Sequence, residues 1–263
     1  MYSWNASEYH SSSSNQKRWG SELVSRLTFK GDEHVLDIGS GNGALTAEIS
    51  EKVPHGAVIG LDSSADMVNL ARNNFPPAMY PNLSFVLKDA SKLDYNEEFD
   101  LVFSNACLHW IKDHRPIIKG IRKSLKPSGR ILLQMGGKGN ADGIIAVLDE
   151  LVQEPRWSHY FRNFNFTYGF YSPDEYKPWL LAAGFITHRV DLVVKEMVHE
   201  NNEQFASWVR TTWLPYTQRV PIEMQELLIT ELTKRYESLY PPDEKGAIHI
   251  RMVRLEIDAQ KHD

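Results

Sequence analysis

The sequence predicts an α/β fold, a mostly parallel sheet with helices on both faces, and three observations carry that expectation. Short apolar runs recur through the first half of the 263 residues; most end in a glycine, serine or acidic turn; and segments of helical spacing separate them. Parallel neighbours cannot be joined by a tight hairpin and need a crossover of helix length, so this rhythm reads as successive βαβ units.

The first run is His34 to Ile38 (HVLDI), followed by GSGNG and by ALTAEISEKV, whose apolar spacing fits a helix. AVIGLD follows and ends on Asp62; the next helix starts where Ser63 or Ser64 can cap it and stops before Pro76 and Pro77. LSFVLKD at 83–89 and FDLVFSNA at 99–106 read as two more buried strands. A helix from His114 to Leu125 halts at KPSG, and RILLQM at 130–135 is the fifth strand. Beyond Met135 the rhythm changes. Helices are expected at Ile144 to Gln153 and Pro173 to Ala183 around an aromatic-rich connection, a strand at Phe185 to Val198, helices near Asn202 to Thr212 and Ile222 to Tyr240, and a last strand in AIHIRMVRLEI. The length fits one large domain carrying inserted material.

Composition narrows the function classes. With 42% hydrophobic and 24% charged residues the chain is an ordinary globular one, and its net charge of −5 offers no global attraction to nucleic acid or anionic membrane. Lys and Arg are scattered without an aromatic-basic stripe, so no nucleic-acid partner is expected. One cysteine, Cys107, allows no intramolecular disulfide and no cysteine metal cluster; no metal is expected, and a reducing, cytoplasmic setting is the default. No secretory signal or membrane-spanning run is visible, so no membrane partner is expected either. Oligomeric state stays open.

The turn DIGSGNG, from Asp37 to Gly43, carries the first chemical signal. Glycines at 39 and 41 let the backbone turn sharply and let a ligand approach, and amides near a helix N-terminus favour an anionic group. A dinucleotide fingerprint would want glycine at 44, where Ala44 stands, a substitution that fingerprint tolerates. A plain tight turn is the bland alternative. Asp62 ends the second strand twenty-five residues after Asp37, where a carboxylate can accept from both ribose hydroxyls. Asp89 ends the third strand and Asn105 the fourth, so four polar strand ends gather on one rim.

Through VLDIGSGNG, VIGLDSSADMV, FVLKDA, FDLVFSNACLHWI and LKPSGRILLQ the sequence resembles the class I S-adenosylmethionine-dependent methyltransferases, strongly over residues 17–136. The resemblance implies a Rossmann-like, seven-stranded, mostly parallel sheet with an antiparallel last strand and helical cap insertions. Its parts would be an N-terminal cap segment 1–33, a cofactor-binding core 34–136, a cap insertion 137–183, a strand 184–198, a second cap piece 199–243 and a last strand with tail 244–263. It implies S-adenosyl-L-methionine as cofactor. Asp37, Gly39, Ser40 and Gly41 would surround its methionine part, Asp62 with Ser63 its ribose, and Asp89 with Ala90 its adenine. Asn105 and Ala106 would lie beneath the methionine end. A dehydrogenase is the competing use of such a turn, disfavoured by the glycine spacing, the third-strand acid and the lack of a second nucleotide-binding half. A non-catalytic binder is a further alternative.

Within that superfamily the sequence is most similar to small-molecule carboxyl methyltransferases of the trans-aconitate and juvenile hormone acid types. WNASEY at Trp4 to Tyr9, NQKR at Asn15 to Arg18, NACLHW, WVR at 208–210, PYTQRVP at 215–221 and VRLEI at 253–257 carry the likeness. Leu214 stands where the trans-aconitate pattern leads one to expect an arginine. A carboxylic acid, with a reference pKa of about 4, is ionised at neutral pH and attacks without a general base. An amine, phenol, lipid or quinone-type acceptor would ask for one, and His109 is placed to serve; a hydrogen-bonded turn histidine is its bland reading. Trp110 is a candidate pocket wall or donor, or core packing. Gln16 is a candidate for acceptor positioning and Arg18 for the cofactor's carboxylate, unless both are solvated helix residues. Arg210 and Arg254 are candidate anchors for an acidic substrate, with surface salt bridging as the alternative.

Overall fold

The computed structural model describes residues 14–262; the likeness at Trp4 to Tyr9 lies outside the described residues. Seven strands form one sheet: β1 (His34–Ile38), β2 (Ala57–Asp62), β3 (Leu83–Leu87), β4 (Phe99–Asn105), β5 (Leu125–Gly136), β6 (Phe185–His199) and β7 (Ile248–Lys261). Their order is β3-β2-β1-β4-β5-β7-β6. β2, β1, β4 and β5 pair in parallel, β3 joins β2 in parallel, and β7 runs antiparallel to β5. The α/β, mostly parallel fold expected from the sequence is thereby found.

The central strands are buried along most of their length, and because successive side chains point to opposite faces the sheet needs covering on both. Leu36, Ile38, Leu61, Val102 and Leu133 face one side, where they pack with Ile117, Ile118 and Ile121 of α4 (Arg115–Ser124) and with Tyr176 and Leu180 of α6 (Pro173–Ala182). Val35, Val58, Leu101, Phe103 and Leu132 face the other. There they meet Leu23 and Val24 of α1 (Ser14–Val24), Ala47 and Ile49 of α2 (Ala44–Lys52), and Val68 and Ala71 of α3 (Ala65–Asn74). Of the two serines expected to cap α3, Ser64 does so, its hydroxyl accepting from the Met67 amide at 3.3 Å. α6 opens on a capping box, Ser172 and Glu175 each satisfying the other's backbone N–H.

Several boundaries differ from expectation. β5 starts at Leu125, not Arg130: Phe99 pairs with Leu125 and Leu101 with Arg130, so KPSG is absorbed as an excursion in the strand, with Ser128 at φ 58°. β3 stops at Leu87 because Asp89 caps a short 3-10 turn, Ala90–Lys92. β7 runs on to Lys261, whose ammonium is buried against the Leu125 carbonyl at 2.6 Å and Glu97 at 2.8 Å.

Contacts divide the described chain into two compact units. The sheet unit comprises Gln16–Lys138, Tyr168–Val193 and the residues from Arg254 on; the other comprises Gly139–Thr167 and Val194–Val253 with the described residues before Gln16. α6, read from sequence as part of the cap, thus gives Tyr176 and Leu180 to the sheet's core. In the second unit α9 (Ile222–Leu239) packs on α5 (Asp142–Leu151) and α7 (Asn202–Thr212). Buried rings of Phe205, Trp208, Trp213, Tyr216 and Tyr236 make its core. A one-turn helix α8 (Leu214–Thr217), not anticipated, carries Leu214 and Tyr216. Among the described residues no helix is long and apolar enough to cross a membrane, and no group of three or more His, Cys, Asp or Glu could hold a metal ion.

Neighbouring leucines on α6 provide a test of this packing. Leu180 is 0% and Leu181 62% exposed. Leu180→Ala should cost about 2 to 5 kcal/mol in urea unfolding by leaving a cavity, and Leu181→Ala less than about 0.5 kcal/mol.

Candidate active site

The site lies in the sheet unit, where β1 and β4 are neighbours and their following helices, α2 and α4, cover opposite faces. That switch point is where open α/β sheets hold ligands. The glycine turn after β1 is tied to the end of β2. The amides of Gly39 and Ser40 both donate to the Leu61 carbonyl, at 2.8 and 2.9 Å, and the Gly41 amide donates to Asp62 Oδ2 at 3.0 Å. The hydrogens of these three amides are thus committed to β2, and the anionic group that the Gly41 amide receives is the protein's own Asp62 carboxylate. Gly39, at φ 77°, has no room for a side chain, since a Cβ there would stand 2.2 Å from Cys107 Sγ. Gly41, at φ 53°, opens on space, with nothing within 4 Å of such a Cβ.

Asp62 also accepts from the Ser64 amide at 2.9 Å, through Oδ1. Burial pushes its carboxyl up, opposed by the amides of Ser64, Gly41 and Ser63. Each carboxylate oxygen can accept about two bonds, so both can still take a hydroxyl. Asp37 is buried beneath the turn, where Thr46 Oγ1 donates to it at 2.7 Å. Burial pushes its carboxyl up to about 7 despite Thr46, with the nearby Asp62 charge adding to the rise. Asp89 is exposed and held below the usual carboxylate range by the amide and hydroxyl of Ser91. Ala90 beside it is buried, whereas Ser63 and Arg18 are exposed.

After β4 the chain turns sharply: Ala106 sits at φ 54°, its amide donating to the Gln134 carbonyl at 2.8 Å. Asn105 turns its Nδ2 to the backbone carbonyl of Gln16 at 3.0 Å, bringing α1 against the strand end. Three side-chain oxygens, Gln16 Oε1, Asn105 Oδ1 and Ser40 Oγ, are buried with no partner among the described residues. Leaving each unpaired costs about 1 to 3 kcal/mol, so this edge is built to receive hydrogen-bond donors. An ammonium group, as on the methionine part of S-adenosylmethionine, fits that requirement.

On the other side of the switch point, the 3-10 turn Leu108–Trp110 presents His109. The Gly136 amide donates to His109 Nδ1 at 3.4 Å. Rings of Trp110, Tyr168 and Phe170 stand 5.8, 6.1 and 5.8 Å from the imidazole, and Trp110 meets Tyr168 edge-on at 5.0 Å. Burial, then the Arg254 charge and His114, hold the imidazole well below its usual pKa. Arg254 is 2% exposed and stands 5.7 Å over the Trp19 ring, so the surface salt bridge considered for it is excluded. Two residues further along β7, the buried Glu256 takes Gln134 at 3.0 Å, Arg26 at 2.6 Å and Arg189 at 3.0 Å. Arg210 belongs to the helical unit, forked onto Glu226 at 2.6 and 2.8 Å.

Sequence reasoning missed Tyr168 and Phe170. Their signal is the alternation in TYGFY, where Gly169 between them donates its amide to the His109 carbonyl at 2.8 Å.

A model of the methyltransferase domain matches residues 29–184, more than half of the chain. The chain is 28% identical over 266 residues to the trans-aconitate 2-methyltransferase of Escherichia coli strain 55989, covering 99% of both. Its fold is similar to that of the YcgJ protein of Bacillus subtilis, with a TM-score of 0.64 at 19% identity over 94% of this chain and 99% of that one. It is also similar to Haemonchus contortus phosphoethanolamine N-methyltransferase 2 in complex with S-adenosyl-L-methionine, with a TM-score of 0.62 at 18% identity over 98% and 57%. The chain belongs to the methyltransferase-domain family, with the fold and glycine turn of the class I S-adenosylmethionine-dependent enzymes.

The two glycines should separate by experiment. Gly39→Ala meets both left-handed strain and Cys107 and should lower the melting temperature clearly more than Gly41→Ala, which meets the strain alone, about 1 to 2 kcal/mol. Gly41→Ala should instead weaken S-adenosylmethionine binding measured by calorimetry.

Asp37 gives a pH signature. Its folded carboxyl sits above its unfolded value, so the folded state binds the extra proton and stability falls as pH rises from about 4 to about 7. Asp37→Asn should be more stable than the wild type at pH 8, and the advantage should vanish toward pH 4, as read by denaturant melts across that range.

Proposed function

We propose that the enzyme transfers the methyl group of S-adenosylmethionine to a carboxylate oxygen of a small acid, forming a methyl ester. The observation that carries this reading is the buried guanidinium of Arg254, whose positive charge reaches the imidazole at the strand-end turn. A cation in a low-dielectric surround attracts an anionic acceptor and repels an ammonium one. It also depresses the basicity of His109, the group that an amine or phenol would need as a base.

When bound, S-adenosylmethionine supplies a sulfonium-activated methyl: the acceptor oxygen forms the C–O bond as the C–S bond breaks, and the two opposite charges cancel without proton transfer. The chain's own part is alignment and exclusion of water. On this reading Asp62, beside Ser63, holds the ribose hydroxyls, and Asp89 with Ala90 borders the adenine. Gln16, Ser40 and Asn105 accept from the ammonium, over the turn formed by Asp37, Gly39, Gly41 and Ala106. Arg254 attracts the acceptor's carboxylate, and Trp110 with Tyr168 and Phe170 walls its body. The relatives named trans-aconitate 2-methyltransferase support an acid as acceptor. Leu214, where that pattern leads one to expect an arginine, argues for an acid with fewer carboxylates.

Carboxylic acids, amines and phenols screened with S-adenosylmethionine and read by product mass test the reading. A base-labile ester is expected; methylated amines or phenols alone would overturn it. Arg254→Met should raise KM for the acid by about tenfold or more, the size of a charge-assisted hydrogen bond. Asp62→Ala should abolish donor binding in calorimetry.

A further inference from the structure

His109 has two ring nitrogens in different surroundings, and the difference bears on what the residue can do. Nδ1 receives the Gly136 N–H at 3.4 Å. A nitrogen that accepts carries a lone pair, so the proton of the neutral ring is on Nε2. Gly136 ends β5 opposite Arg254 of β7, and Ala106 in the turn before His109 is pinned by its amide to Gln134 of the same strand. The donor and the ring are therefore fixed by one sheet edge. The Gly169 amide, donating to the His109 carbonyl at 2.8 Å, holds the residue from the other side. Nε2, on the far side of the ring from Gly136, has no protein partner among the described residues.

We propose that His109 is a single-tautomer hydrogen-bond donor, its Nδ1 held as acceptor by the Gly136 amide and its Nε2–H presented to the acceptor's non-attacking oxygen. It positions the acceptor and takes no proton from it. The identity of that oxygen rests on the carboxylate reading above; the tautomer does not. Protonating Nδ1 would set two N–H groups against each other. The charged and titratable groups around the ring oppose an imidazolium too: Arg254 from β7 and His114 from the start of α4 lower its affinity for a proton. A base acting through Nε2 would first have to move its proton to Nδ1 and give up the Gly136 bond.

Two amides separate the two ends of the ring. His109→Asn retains an acceptor near the position of Nδ1 and loses the outer donor; His109→Gln extends an amide N–H toward the position of Nε2. We expect His109→Gln to keep kcat within about fivefold and His109→Asn to lose about tenfold to a hundredfold in kcat/KM, the range for a hydrogen bond to a charged group. The pH profile of kcat/KM between pH 6 and 9 should have the same shape in the wild type and in His109→Gln. Wild-type activity in His109→Asn, or a rising limb with pH that disappears in His109→Gln, would overturn the proposal. Nitrogen-15 NMR of histidine-labelled protein reads the tautomer without turnover. Nδ1 unprotonated and Nε2 protonated from pH 6 to 8 is expected, and the opposite tautomer or an imidazolium in that range would overturn it. If no carboxylic acid is methylated, the carboxylate reading fails and the NMR result still decides the tautomer.

Discussion

Three backbone amides of one turn are spent on the neighbouring strand. Gly39 and Ser40 share the carbonyl of Leu61, and Gly41 binds the carboxylate of Asp62. The clamp joins the ends of β1 and β2 into one rigid rim, and the rest of the site is hung from it. It forces Gly39 into the left-handed region, brings that glycine onto Cys107, and thereby sets how closely the turn after β4 approaches the turn after β1. It also changes what the rim can bind. A glycine turn whose amides were free would suit phosphate. Here the unpaired groups are oxygens, on Gln16, Ser40 and Asn105, and the complementary ligand end is a cation.

Charge is distributed along β7 with a clear division of labour. Glu256 is buried among Arg26, Arg189 and Gln134, and Asp258 takes the fork of Arg130. These pairs fasten the last strand to β5, to β6 and to the segment that follows α1. Arg254, opposite Gly136 on the same strand, lies within electrostatic reach of His109. One strand therefore carries both the ion pairs that tie it to its neighbours and a buried guanidinium near His109, and the protein's overall negative charge gives no hint of it.

The parallel half of the sheet was legible because its central strands are buried on both faces and read as short apolar runs between turns. The rim acids were legible for the same reason, since a strand's end fixes where its last polar residue goes. What sequence could not give was anything set by tertiary contact. KPSG carries every local mark of a stop, yet pairing with β4 on either side draws it into β5. The helix Pro173–Ala182 has ordinary cap-like composition, and only the depth of Tyr176 and Leu180 assigns it to the sheet. Arg254 looked like a surface residue because one charge in an apolar run does not announce which face it occupies. Tyr168 and Phe170 belong to an irregular connection, where the short alternation in TYGFY has no regular element to place it, and the amides of the glycine turn had two possible partners that no local pattern could separate.

The strand order has a consequence for assembly. β7 lies between β5 and β6, so the strand made earlier, Phe185–His199, waits for the one made later, Ile248–Lys261, before it can take its place at the sheet edge. Pairings this distant in sequence are slow to form, because a long loop must close before any contact repays it. The donor rim, built from β1 to β4, can be complete while the ribosome is still adding the segment that carries Arg254. On the reading proposed above, the donor side of the site is therefore laid down in the growing chain before its acceptor side.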